Sequence, residues 1–104
     1  MSLYSLTDTN FQDECFRSDM PVLVEFTAYW CKPCKVLEPI IEKISDDKKG
    51  KAHFFIVDVD DCPRMTQEYG VKGLPAVIVF RDAEEIGRIE GVTTREKILE
   101  LLGV

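Results

Sequence analysis

Residues 21–28 read Pro-Val-Leu-Val-Glu-Phe-Thr-Ala and form a near-continuous apolar run, rich in β-branched and aromatic side chains. A run of this kind is typical of a central strand that is covered on both faces. A long amphipathic helix is predicted soon after it, over residues 32–49, because apolar side chains recur there at helical spacing. Its predicted apolar face consists of Val36, Leu37, Ile40, Ile41 and Ile44, and its polar face of Lys35, Glu38, Glu42 and Lys43. A buried strand that leads into such a helix indicates an α/β fold.

The rest of the chain continues this alternation of strands and helices. Residues 3–6 predict a weak strand, and a short helix follows from an N-cap at Thr7 or Asp8 to about Arg17. Later elements are strands over residues 52–58, 74–81 and 85–90, a short helix between Pro63 and Gly70, and a last helix that begins at Thr93, with Glu96 closing a capping box. This order predicts one α/β domain over residues 1–104, with a central mixed five-stranded sheet flanked by four helices.

Length and charge exclude several classes of function. With 104 residues, the chain is long enough for one compact domain and too short for two ordinary ones. Its net charge of −6 argues against nucleic acid or an anionic membrane as the partner, because both are polyanions. No apolar run approaches the roughly 20 residues that span a bilayer, and residues 1–6 do not resemble a secretory signal. We therefore expect a cytoplasmic monomer.

Two of the four cysteines, Cys31 and Cys34, lie where the central strand gives way to the long helix. The free amide groups and positive dipole end of a helix stabilise an anion, and the thiolate is the attacking species in disulfide exchange. Cys31 is therefore the predicted nucleophile. Cys34 lies one helical turn further on, close enough to form a disulfide with Cys31, and is the predicted resolving thiol.

A Cys-x-x-Cys pair also serves as half of a zinc site. The other candidate ligands are His53, Cys15, Cys62 and carboxylates, and none of them forms a second close-spaced pair. The sequence therefore favours redox chemistry with no metal and no tightly bound cofactor. Cys15 and Cys62 are interpreted as small apolar residues. A regulatory thiol at Cys62 stays open, because a helix start favours the thiolate.

The two residues between the cysteines are candidates for tuning the redox pair. Pro33 suits the first turn of a helix, where its missing N–H leaves no hydrogen bond unmade. Lys32 adds a positive charge that would further favour the Cys31 thiolate. The alternative is that the Lys32 side chain points into solvent, where the effect of its charge is screened.

Two separated motifs resemble the thioredoxin family: Phe-Thr-Ala-Tyr-Trp-Cys-Lys-Pro-Cys-Lys over residues 26–35, and Gly-Leu-Pro over residues 73–75. The likeness runs from Leu3 to Leu102 and includes residues 57–60, residues 69–71 and Gly91. The resemblance implies the thioredoxin fold and a thiol–disulfide oxidoreductase that reduces protein disulfides through a redox-active disulfide. It also implies re-reduction by a thioredoxin reductase, with NADPH or another compound as the ultimate donor.

The resemblance further implies a substrate site beside the cysteines. Pro75 would be a cis-proline that faces the pair, and the backbone of Leu74 would pair with an extended substrate segment. The shallow apolar docking surface around the nucleophile would consist of Trp30, Val71, Leu74, Gly91 and Val92. For Val71 and Val92, partial burial in the core is the alternative.

Glu25 falls where this family has a buried acid beneath the cysteine pair. An acid inside an apolar strand should have a raised pKa because burial disfavours its charged form, which suits it to exchange a proton with Cys34. The alternative is a strand-edge position with the carboxylate in solvent.

Four residues depart from the family pattern and leave the reduction potential and partner choice open. Lys32 replaces the usual glycine, Thr27 a common aromatic residue, Ala76 the usual threonine after the proline, and Ile56 a lysine found near the buried acid in many bacterial members. A thiol oxidant or partner-dedicated electron carrier on the same fold is therefore the alternative function, and a non-redox binding or zinc-holding module is a third.

Overall fold

The computed structural model describes residues 3–16 and 19–104 and confirms the predicted order of strands and helices. In these residues the elements are β1 (Tyr4–Leu6), α1 (Phe11–Cys15), β2 (Val22–Thr27), α2 (Lys32–Asp47), β3 (His53–Asp58), α3 (Pro63–Glu68), β4 (Ala76–Arg81), β5 (Glu84–Glu90) and α4 (Arg95–Leu102). No helix in this described part of the chain is long and apolar enough to cross a membrane.

The strands form one mixed five-stranded sheet in the order β1-β3-β2-β4-β5. β3 pairs in parallel with both β1 and β2, and β4 pairs antiparallel with both β2 and β5. The apolar run predicted to be central is central: every residue of β2 is buried. The β4–β5 hairpin turns at Asp82 and Ala83, which both have positive φ.

The two faces of the sheet carry separate cores. Val22, Val24 and Phe26 of β2 pack in a cluster with α1 and α3 side chains such as Phe11 and Met65. Leu23 packs on the other face with residues of α2 and α4. Because successive strand residues point to opposite faces, Glu25 and Thr27 lie on the same face as Leu23, beneath α2.

The buried face of α2 differs from the predicted one. Leu37, Ile41 and Ile44 are buried as predicted, but Val36 is 59% exposed. The side chain of Glu38, predicted to be on the polar face, is only 24% exposed. The helix is therefore rotated slightly relative to the predicted apolar stripe, and Glu38 lies against the sheet because Thr27 offers it a hydrogen bond.

Two predicted helix caps are wrong. α1 begins after Asn10, and Asp8 instead accepts hydrogen bonds from the backbone N–H groups of Arg64 and Met65, in the first turn of α3. That contact joins residues more than fifty positions apart, so local sequence does not reveal it. The predicted end of α1 at Arg17 lies outside the described residues.

The last helix is capped one residue later than predicted. Thr94, not Thr93, is the N-cap, and its hydroxyl accepts a hydrogen bond from the N–H of Lys97 at 3.2 Å. Glu96 therefore lies in the first turn of α4 and does not occupy the capping-box position. Two adjacent threonines offer the same hydroxyl, so the capping pattern in the sequence does not distinguish between them.

Candidate active site

Cys31 and Cys34 lie at the carboxyl end of the central strand, joined by a disulfide with a Cα–Cα distance of 5.4 Å. Cys31 is the N-cap of α2 and has extended backbone geometry, and its sulfur accepts a hydrogen bond from the N–H of Cys34 at 3.3 Å. Pro33 occupies the first turn of the helix as predicted. Cys31 is 6% exposed and Cys34 is 0% exposed, so only the first sulfur borders the surface.

A short turn before the helix presents Trp30 to solvent. The N–H of Cys31 bonds to the carbonyl of Ala28 at 3.1 Å, which places Tyr29 and Trp30 at the tip of the turn. Trp30 is 59% exposed, and its indole N–H donates to a carboxylate oxygen of Asp60 at 3.1 Å. This bond orients the indole beside Cys31. The sequence motif included Asp60 but did not show that it pairs with Trp30.

A shallow groove of about 610 Å³ runs beside Cys31. It gathers residues from the turn before α2, the segment after β3, helix α3 and the loop before β4. Its lining consists of Trp30, Cys31, Lys32, Pro33, Val59, Thr66, Val71, Lys72 and Leu74. The structure thus brings the predicted Trp30, Val71 and Leu74 together. Thr66 and Lys72 were not predicted, since their segments carry no motif, and Val59 was not predicted as a lining residue although residues 57–60 belong to the family likeness.

The loop before β4 folds over the cysteine pair. The Leu74–Pro75 peptide bond is cis, and Leu74 packs against the buried cluster of Ala28, Cys31 and Cys34. The carbonyl of Pro75 accepts a hydrogen bond from the N–H of Gly91 at 2.7 Å. Gly91 has φ +89°, a conformation that favours glycine.

Gly91 and Val92 flank this loop and do not line the groove itself. Val92 is 51% exposed, so the predicted alternative of core burial is wrong for this residue. Val71 is partly buried against the core and also lines the groove, so it combines the predicted docking position with the predicted alternative of partial burial. The exposed apolar side chain of Val92 extends the apolar surface beyond the groove.

Glu25 is fully buried, at 0% exposed, and the alternative of a solvent-facing strand edge is wrong. Its register neighbours in the sheet are Ile56 on β3 and Val77 on β4. Within residues 3–16 and 19–104, neither carboxylate oxygen of Glu25 has a hydrogen-bond partner. Burial is the largest cause that raises the pKa of Glu25 to about 8. The negative charge of Glu38 also acts to raise this pKa.

The other two cysteines are buried and unreactive by environment. Burial raises the thiol pKa of both Cys15 and Cys62 to about 12. Cys62 also donates a hydrogen bond from its sulfur to Asp8 at 3.2 Å, which favours the protonated thiol. Burial and the neighbouring carboxylate therefore disfavour a thiolate at Cys62 and argue against the hypothesis of a regulatory thiol there.

A zinc site was the alternative use of the cysteine pair, and it would need further ligands nearby. Among the residues that the structure describes, no group of three or more His, Cys, Asp or Glu side chains is placed to hold a metal ion. His53 is exposed and stacks on Phe55.

Comparison with known proteins identifies the family. The Thioredoxin family model matches residues 2–103. The chain is 38% identical to Thioredoxin of Rickettsia felis over 92% of its own length and 91% of the relative's, and 37% identical to Thioredoxin of Staphylococcus haemolyticus over 98% and 96%. It is also 37% identical to Thioredoxin M4, chloroplastic, of Arabidopsis thaliana, over 90% of this chain and 49% of that protein. With a cis-proline loop folded over a Cys-x-x-Cys pair at a helix start, the chain belongs to the thioredoxin family.

Proposed function

We propose that this thiol–disulfide oxidoreductase reduces disulfides in protein substrates by a cycle of the Cys31–Cys34 pair. The Cys31 thiolate attacks one sulfur of a substrate disulfide, which forms a mixed disulfide and releases one substrate thiolate. Cys34 then attacks the Cys31 sulfur, releases the second substrate thiolate and closes the Cys31–Cys34 disulfide. The observation that carries this order is exposure: Cys31 lines the groove, whereas Cys34 is fully buried.

The start of α2 supports the first step. The Cys31 sulfur accepts the Cys34 N–H hydrogen bond and lies at the positive end of a 16-residue helix. Both features stabilise negative charge on sulfur, and the thiolate is the nucleophile in disulfide exchange. Pro33 fixes the first turn, and the exposed ammonium of Lys32 adds positive charge at the groove. We assign both residues a role in setting the reduction potential.

Glu25 serves as the proton acceptor for Cys34 in the second step. Both residues are fully buried, and Glu25 lies on the face of the sheet that α2 covers. Cys34 must lose its proton before it attacks, and bulk water does not reach it. With a pKa of about 8, the ionised form of Glu25 is a much stronger base than an ordinary carboxylate and is matched to a thiol. The share of this ionised form, which accepts the Cys34 proton, grows as the pH rises toward 8.

The groove receives the substrate as an extended segment. Trp30, Val71 and Leu74 form its apolar lining, and the backbone of Leu74 is positioned beside the cysteines for pairing with the substrate chain. Pro75 holds this loop against the pair, while Gly91 and Val92 extend the docking surface on its far side.

The remaining partners follow from the family. A thioredoxin reductase re-reduces the Cys31–Cys34 disulfide, with NADPH as the ultimate electron donor, and the chain works as a cytoplasmic monomer. Bacterial relatives named thioredoxins support this assignment. No tightly bound cofactor takes part in the cycle.

Insulin reduction by dithiothreitol tests the proposal. The wild-type chain should accelerate the precipitation of the insulin B chain, and Cys31→Ser should abolish the acceleration. Cys62→Ser is the matched control, because serine keeps the hydrogen bond to Asp8, and it should behave like the wild type. Equal rates for the wild type and Cys31→Ser would reject the proposed function.

The positive charge of Lys32 in the groove favours one alternative, a thiol oxidant. A measured reduction potential of the Cys31–Cys34 pair distinguishes the two functions. A reductase should have a potential near that of thioredoxin, about −270 mV, whereas a value near −120 mV would identify an oxidant.

A further inference from the structure

On α2, which covers the sheet face that carries the buried acid, lies a charged residue that the proposed cycle does not use. Glu38 is partly buried, and its Oε2 atom accepts a hydrogen bond from the Thr27 hydroxyl at 3.1 Å. The same oxygen lies 3.7 Å from the ammonium of Lys35. A side chain one turn beyond Cys34 is therefore held in place from two directions.

Thr27 connects this carboxylate to the environment of Glu25. Glu25 and Thr27 are alternate residues of β2, so both point to the face that α2 covers. The hydrogen bond from Thr27 thus holds Glu38 against the face of the sheet on which Glu25 lies.

Among the residues that the structure describes, the charges that act on Glu25 lie on one element, α2. On the neighbouring strands, its register partners are the uncharged Ile56 and Val77. On α2, the charged groups that act on Glu25 are Glu38, Lys35 and Glu42. The two acids raise the pKa of Glu25, and Lys35 lowers it. Because Ile56 supplies no charge from β3, α2 supplies the electrostatic control of Glu25.

We propose that Glu38, anchored by Thr27 and Lys35, is a positioning residue that controls proton exchange at Glu25 and thereby the release of substrate by Cys34. This inference rests on the proposed function. In the step it controls, the Cys34 S–H bond breaks, its proton passes to Glu25, and the Cys34 sulfur forms a bond with Cys31 as the substrate thiolate leaves. An ionised Glu38 makes Glu25 hold a proton more tightly and so strengthens it as a base toward Cys34.

Direct titration of Glu25 tests the electrostatic part. The oxidised full chain, labelled with carbon-13 at glutamate carboxyl carbons, is titrated by NMR, and the Glu25 signal is identified by its loss in Glu25→Gln. In Glu38→Gln the Glu25 midpoint should move to lower pH by about 0.5 unit or more, the effect of one like charge at a part-buried site. Lys35→Gln should move the midpoint to higher pH. Thr27→Val should lower it less than Glu38→Gln, since it removes only the anchor.

A kinetic measurement tests the effect on Cys34. Reduced protein is mixed with 5,5′-dithiobis(2-nitrobenzoate), which releases one thiolate when Cys31 attacks and a second when Cys34 resolves the mixed disulfide. The pH profile of the second phase should shift in Glu38→Gln in the same direction as the Glu25 midpoint, while the first phase keeps its profile. Glu100→Gln, on the exposed side of α4, is the matched control and should leave both phases unchanged.

The outcomes separate the inference from the function on which it rests. An unchanged Glu25 midpoint in Glu38→Gln would overturn the inference, and so would a shifted midpoint with an unshifted second phase. Both results would leave the two-step cycle intact. A second phase that persists in Cys34→Ser would instead refute the proposed cycle itself.

Discussion

Replacing Glu25 by glutamine should change how stability depends on pH. Glu25 is completely buried, and its pKa rises from 4.5 to about 8, chiefly because of burial. Between these two values the folded protein holds a proton that the unfolded chain has released, so the free energy of unfolding falls as the pH rises. The gap of about 3.5 pH units, at about 1.36 kcal/mol per unit, corresponds to a loss of the order of 5 kcal/mol by pH 8.

Glutamine fills nearly the same volume but does not titrate. Its amide would be buried and unpaired at every pH, as the Glu25 carboxyl of the wild type is, at a cost of about 1–3 kcal/mol that does not change with pH. The free energy of unfolding of the wild type should therefore fall relative to that of Glu25→Gln as the pH rises from 5 to 8.

Urea denaturation of the oxidised proteins, followed by far-ultraviolet circular dichroism across this pH range, measures the difference. Glu100→Gln removes an exposed carboxylate on α4 and should follow the wild-type curve. A difference between Glu25→Gln and the wild type that stays constant with pH would refute the reasoning, because Glu25 would then titrate alike in the folded and unfolded chains.

Three further predictions concern the fold around the site. Asp8→Ala should lower the free energy of unfolding, as measured by urea denaturation at several pH values. Hydrogen bonds from α3 and Cys62 outweigh burial and lower the pKa of the Asp8 carboxyl, so the difference from the wild type should shrink only below pH 3.8. Cys15 and Cys62, with thiol pKa values of about 12, should resist iodoacetamide under native conditions, while Cys31 of the reduced protein is alkylated. Peptide mass spectrometry measures the labelling of each cysteine, and equal labelling of all three would contradict the prediction. Thr94→Ala should cost about 1 kcal/mol by removing the N-cap of α4, and Thr93→Ala should cost clearly less in the same denaturation assay.

The fold could be predicted because its signals are local. The apolar run of β2 and the helical spacing of α2 each follow from a few adjacent residues, and the cysteine pair falls at their junction. Helix caps were less predictable. The α3 cap comes from Asp8, and only the folded chain brings that carboxylate to the first turn of α3.

The candidate site divides in the same way. Cys31 and Cys34 are revealed by their spacing, and the family resemblance identified Pro75. Glu38 was assigned to a polar helix face, because periodicity cannot show that a carboxylate turns back toward a strand hydroxyl. The sequence did not predict Lys72 and Val59 as lining residues, because several separate segments form the groove and no single pattern in the sequence marks it.

Trapping of the mixed disulfide tests the central claim most directly. The Cys34→Ser and Cys31→Ser variants are reduced, mixed with a disulfide-bonded peptide, and analysed by intact mass and peptide mapping. Cys34→Ser should accumulate a stable adduct of one peptide on Cys31, and Cys31→Ser should form none, because its three remaining cysteines are buried. An adduct on Cys34 of comparable yield, or no adduct in Cys34→Ser, would contradict the account.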